Sequence, residues 1–176
     1  MGDRDRRKIE LFAYLNETIG LIYGLKFRPD YGASLHDSFI GYLLATSSDG
    51  NGYIYYARDL SHSNISRKDS LNVYKQKPLA TLGLSFSFGQ CTSCDWSQLN
   101  GSTQIALGYS NGSIALFHLN SNCLNSPMMT RREKENLIIY PVRTFLAHDT
   151  LVKSVKWSKS NPSILATGSL FNRELR

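Results

Sequence analysis

Leu151-Val152-Lys153-Ser154-Val155-Lys156-Trp157, followed by Ile164-Leu165-Ala166-Thr167-Gly168-Ser169, is the clearest copy of a block that occurs three times along the chain. Each copy is a strand-like run ending in an aromatic, a short apolar run containing Ala, and a turn with Gly or Asn. The second is Cys91-Thr92-Ser93-Cys94-Asp95-Trp96 with Ile105-Ala106-Leu107-Gly108. The first is Gly20-Leu21-Ile22-Tyr23-Gly24-Leu25-Lys26-Phe27 with Leu43-Leu44-Ala45-Thr46. Self-similarity of this kind predicts an array of four-stranded units and points to a scaffold rather than a catalyst.

Outside these blocks helical periodicity is poor, and short runs rich in Ile, Leu, Tyr, Phe and Val are broken by Gly, Asn, Ser and Pro. The chain reads as all β. Strands are expected at residues 9–15, 21–27, 42–47, 53–57, 79–84, 92–96, 104–108, 113–119, 142–147, 152–157 and 164–169. Asp49-Gly50-Asn51-Gly52 and Asn111-Gly112 suit tight hairpins with positive backbone torsions. Alternation puts Leu21, Tyr23, Leu25 and Phe27 on one face of their strand and Ile22, Gly24 and Lys26 on the other. Residues 1–8 read as a basic tail, and 28–40, 58–78 and 120–141 as polar surface insertions between strands. These insertions spread Phe27, Trp96 and Trp157 further apart than the about 40–45 residues of a simple repeat of this type.

With 176 residues, 41% hydrophobic and 19% charged, the composition is that of one globular domain with a real core. No run reaches the roughly 18 apolar residues of a membrane span, and Met-Gly-Asp-Arg-Asp-Arg-Arg-Lys lacks the apolar centre of a secretory signal. An intracellular location is expected. Cys91, Cys94 and Cys123 then read as reduced thiols, and the Asn-X-Ser/Thr matches at Asn16, Asn64, Asn100 and Asn111 as chance. The net charge of +6 favours acidic partners, although much of it sits in Arg4, Arg6, Arg7 and Lys8 and in Arg131, Arg132 and Lys134, where solvated loops are the simpler account.

The third block, Phe145-Leu146-Ala147-His148-Asp149 with Val152 to Ser158 and Asn161 to Ser169, resembles a WD40 repeat. The resemblance implies a WD40-type β-propeller over residues 9–176, with two full blades and partial ones, as in a fragment. It also implies a hydrogen-bonded set in which His148 meets a hydroxyl of the second strand, Thr167 or Ser169, with Asn172 where the family has Asp. The family's Trp has no counterpart before Arg176. In the earlier blocks the Trp-Asp pair is replaced by Phe117-His118-Leu119 and by Tyr56-Ala57-Arg58-Asp59.

Gly20 to Phe27, Gly41 to Ala45, Asp49-Gly50, Tyr53-Ile54-Tyr55-Tyr56 and Cys91 to Ser97 are, in that order, similar to the WD40 subunits of general transcription factor IIIC, which recruits RNA polymerase III. That resemblance implies a nuclear, noncatalytic platform. Its partners would be sibling subunits of the complex, with promoter DNA engaged mainly through the complex and neither a membrane nor a small-molecule substrate involved. Residues that bind partners are not identifiable at this level. A WD40 adaptor of a ubiquitin ligase or chromatin complex is the alternative, and a propeller enzyme a distant third.

The residues themselves give no catalytic, metal or cofactor site. Cys91 and Cys94 have CxxC spacing without the second pair a zinc site needs. His148, Asp149 and Ser154 lack the elbow around a nucleophilic Ser. Asp49-Gly50-Asn51-Gly52 lacks the closing Glu of a calcium loop, and Tyr53, Tyr55, Tyr56, Phe86 and Phe88 suit sheet packing better than base stacking.

Overall fold

The computed structural model describes residues 13–15, 20–28, 39–58, 74–76, 78–83, 88–99, 102–120 and 137–170. Apart from a 3-10 residue at Phe88, regular structure among them is strand: β1 (Ala13–Leu15), β2 (Ile22–Phe27), β3 (Phe39–Ser47), β4 (Gly52–Arg58), β5 (Tyr74–Gln76), β6 (Ala80–Leu82), β7 (Cys91–Leu99), β8 (Ser102–Tyr109), β9 (Ser113–Asn120), β10 (Leu137–Ile139), β11 (Arg143–Leu146), β12 (Val152–Trp157) and β13 (Leu165–Ser169). No helix among the described residues is long and apolar enough to cross a membrane.

β2, β3, β4 and β6 form an antiparallel meander, and β7, β8, β9 and β11 form a second one in the same order. β12 and β13 start a third as a hairpin. The three quoted blocks are therefore the first hairpin of each unit. Their equivalence extends to an irregularity that the sequence did not announce. The register slips between Ile22 and Gly24, between Cys91 and Ser93, and between Val152 and Ser154, the same step of each first strand. A bulge at this step re-aims the side chains that follow it.

The expected hairpin turns are present, and the two are built alike. Gly50 N donates to Ser47 O at 3.1 Å and Gly112 N to Tyr109 O at 3.2 Å. Asp49 Oδ1 accepts from Asn51 N at 3.0 Å and Asn111 Oδ1 from Ser113 N at 2.9 Å. A short polar side chain thus caps each turn two residues on. Gly50 and Gly112 have φ of 86° and 89°, a region that a side chain reaches only at a cost.

Core packing follows the pleat. Tyr42, Leu44, Ile54, Ala80 and Leu82 of the first meander meet Trp96, Ile105, Leu107, Tyr109, Ala115, Phe117 and Leu119 of the second in one buried cluster. The opposite face of the second meander, with Ala106 and Ile114, receives Val152 and Val155 of the hairpin. Alternation on β2 is as expected only from Gly24 onward, past the bulge, and there its apolar row turns away from the second meander: Leu25 and Phe27 are each 58% exposed.

Two of the stretches read as insertions contribute strands. β5, within 58–78, pairs in parallel with β1, and β10, within 120–141, pairs in parallel with β6 and makes the first sheet five-stranded. At three residues each, they are too short to show a period. β3 begins at Phe39, inside the stretch 28–40.

A methyl at Gly112 would fall 1.8 Å from His148 O in addition to the torsional penalty. Gly112→Ala is expected to cost at least about 2 kcal/mol in urea unfolding. Gly83→Ala, whose methyl meets nothing nearer than 3.4 Å, should move the midpoint little.

Candidate functional site

β2, β7 and β12 run side by side in the same sense. Near their starts Tyr23 OH donates to Gln90 Oε1 at 3.0 Å, and Thr92 Oγ1 donates to Val152 O at 2.6 Å. Near their ends Trp96 Nε1 donates to Phe27 O at 2.7 Å, and Asp95 Oδ2 accepts from Trp157 N at 2.9 Å. The equivalent steps Lys26-Phe27, Asp95-Trp96 and Lys156-Trp157 are thereby brought together.

Asp95 lies at the centre, 6% exposed. Its Oδ1 is 3.6 Å from Lys26 Nζ and 3.7 Å from Lys156 Nζ, so its partners among the described residues, Trp157 N included, come from the two neighbouring first strands. A carboxylate removed from water is tolerated when it is paired and hydrogen-bonded in this way. The Lys26 ammonium beside it, together with partial burial, holds the Lys156 amine below the usual lysine range.

A cleft of about 560 Å³ opens at these strand ends, lined by Lys26, Phe27, Asp95, Trp96, Ser97, Lys156, Trp157, Ser158, Lys159 and Pro162. The loop after β12 is ordered by its own bonds: Asn161 N donates to Ser158 Oγ at 3.1 Å, Ser163 N to Asn161 Oδ1 at 3.0 Å, and Ser158 N to Ile164 O at 2.9 Å. Trp157 Nε1 is buried without an acceptor among the described residues, whereas the equivalent Trp96 Nε1 has one.

The residues singled out from sequence lie at the opposite end of the first strands, beside the hairpin turns. His148 Nε2 and Thr167 Oγ1 share a buried hydrogen bond at 2.9 Å. Ser169 Oγ bonds instead to Thr150 Oγ1, and Asn172 lies outside the described residues. The backbone amide of His148 donates to Gly112 O at 3.1 Å, which ties the residue's main chain to the preceding turn. Ser154 is exposed on β12.

Cys91 is fully buried, and burial pushes its thiol well up; Cys94, chiefly through burial and then the Asp95 charge, is pushed up to about 12. Both are neutral thiols at ordinary pH and poor ligands or nucleophiles. No group of three His, Cys, Asp or Glu suited to a metal occurs among the described residues. Tyr55 is buried and offers no free face for stacking, while Tyr53 is half-buried against Ala45 and Tyr55 and donates its hydroxyl to Asp49. Phe86 lies outside the described residues.

Sequence reasoning missed the cleft because its residues come from three distant blocks. One signal was present: the residue before the terminal aromatic changes sign from block to block, Lys26, Asp95, Lys156. Opposite charges at one step of adjacent units face one another when the units are stacked.

No protein-family model matches the chain. Over 103 residues it is 33% identical to general transcription factor 3C polypeptide 2 of Pongo abelii and 32% identical to the protein of that name from Homo sapiens. Each match covers 54% of this chain and 11% of the relative. The chain is thus distantly similar to a general transcription factor polypeptide of which it spans about a tenth.

Replacing Asp95 with Ala removes the acceptor of Trp157 N and leaves Lys26 and Lys156 repelling each other. A loss of about 2 kcal/mol in chemical denaturation is expected, in line with a hydrogen bond to a charged group. Alkaline pH should also destabilise the fold. Cys91, Cys94 and the buried Tyr55, whose hydroxyl burial raises to about 12, hold their protons more tightly when folded. Their contribution is complete below the unfolded thiol value near 8.5 and is lost as pH climbs towards 12. Melting temperature followed by circular dichroism from pH 8 to 11 should therefore fall steadily.

Proposed function

We propose that this chain is part of a WD40-type propeller that serves, without catalysis, as a binding platform in general transcription factor IIIC, supporting RNA polymerase III transcription in the nucleus. The observation that carries the complex assignment is the similarity, over 54% of the chain, to general transcription factor 3C polypeptide 2. The propeller reading rests on the repetition of one unit, down to the same bulge in each first strand. It also rests on the stacking of consecutive units through one buried cluster after another.

Units of this kind bury their faces only against neighbours, so the array presents rigid edges and loop ends to other proteins. In this reading residues 1–8 are a basic tail, residues 9–176 are propeller, and promoter DNA is met mainly through the complex. A catalytic role finds no support in the neutral thiols of Cys91 and Cys94 or in His148, whose described bonds tie it to Thr167 and Gly112.

Affinity purification of the tagged protein from nuclear extract is expected to recover the large subunits of general transcription factor IIIC. Recovery of a cullin adaptor or a histone-modifying complex in their place would overturn the assignment in favour of an unrelated WD40 adaptor.

A further inference from the structure

Among the described residues, the lining of the cleft at the ends of β2, β7 and β12 carries a charge imbalance. Three ammonium groups, of Lys26, Lys156 and Lys159, line it against the single carboxylate of Asp95. Asp95 is already committed, through Oδ2 to Trp157 N and through Oδ1 to both Lys26 and Lys156. One negative charge balances one of the three positive ones. The Lys26 and Lys156 side chains remain 38% and 57% accessible and Lys159 is exposed, so the surplus faces solvent.

We propose that this cleft is a docking site for an acidic segment of a protein partner. Carboxylates of the segment are received by Lys26, Lys156 and Lys159, and its apolar side chains lie against Phe27, Trp157 and Pro162. A volume of about 560 Å³ suits a few side chains of an extended peptide. Phe27, 58% exposed, offers an uncovered ring at the rim. Lys159 stands on the loop fixed by Ser158 and Asn161, so less freedom is lost when it is engaged.

Nucleic acid fits the same surface poorly. Phosphate tracking calls for a long basic stripe, and base stacking for open aromatic faces. Here the described cations of the lining are three lysines around a buried carboxylate, Trp96 is 3% exposed, and no arginine is among the described lining residues to offer a fork for bidentate phosphate contact. The cleft also lies at the end of the first strands away from His148 and the hairpin turns, so it is separate from the hydrogen bonds that tie those turns.

The test is fluorescence anisotropy of the full chain with a short fluorescein-labelled peptide carrying Glu and Asp around a central Leu. Saturable binding is expected, weakened by added salt and absent for the peptide with Lys at every acidic position. The double variant Lys156→Glu, Lys159→Glu should bind at least about tenfold more weakly. Lys159→Glu alone, on an exposed loop away from Asp95, keeps the test decisive if the double variant misfolds; it should bind measurably more weakly with an unchanged melting temperature.

Failure of the peptide to bind the folded chain, or equal affinity for both lysine variants and the parent, would overturn the proposal. So would an oligonucleotide that displaces the peptide and shows the same lysine dependence, which would make the cleft a phosphate surface. The site rests on the geometry of three strand ends, so its failure leaves the complex assignment standing, and recovery of a different complex leaves this site standing.

Discussion

Asp95 is the constraint on which the arrangement of the three units depends. It is the carboxylate that is buried among the described residues, and each of its oxygens is held by another segment of the chain. An ion in that position is stable only in one register, because a slip of β12 along β7 would move Trp157 N out of reach and leave the charge uncompensated. The bond from Trp96 Nε1 to Phe27 O fixes the other side of β7 in the same way. Apolar burial drives the sheets together without direction; these polar contacts decide where along their length they meet.

The repeat itself was legible because it is written in the strongest local signals, an apolar alternation closed by an aromatic and punctuated by Asp49-Gly50 or Asn111-Gly112. The order of strands within each meander follows from it. What the sequence withheld is set by tertiary contact. The bulges after Ile22, Cys91 and Val152 carry no residue that a local rule demands, since Gly24, Ser93 and Ser154 share little beyond small size. β1, β5 and β10 are three-residue pairings in parallel, too short to show a period, although Leu137 and Ile139 of β10 pack against the core.

The candidate site divides along the same line. His148 and Thr167 stand out in a single block because their bond links the approach to the first strand of a unit with its second strand, and their pairing was one of two implied by the resemblance to a WD40 repeat. Lys26, Asp95 and Lys156 belong to different units, and nothing within one block says that they meet. Their meeting follows only after the first strands are placed side by side and in phase. Charges that look like ordinary solvated residues in each copy then become a cluster with one anion to several cations.

A direction is built into this stacking. Trp96 turns its ring towards the preceding meander while Asp95, one residue earlier, turns towards the following hairpin, and Trp157 repeats the first of these choices against the second meander. Each unit therefore has a ring-bearing face and a charge-bearing face, and the two are complementary rather than alike. Contacts between unlike faces propagate head to tail, and they either extend or close into a ring according to the rotation at each step. The exposed Leu25 and Phe27 of β2 and the exposed Ile164 beside β13 are the two unlike ends of that series.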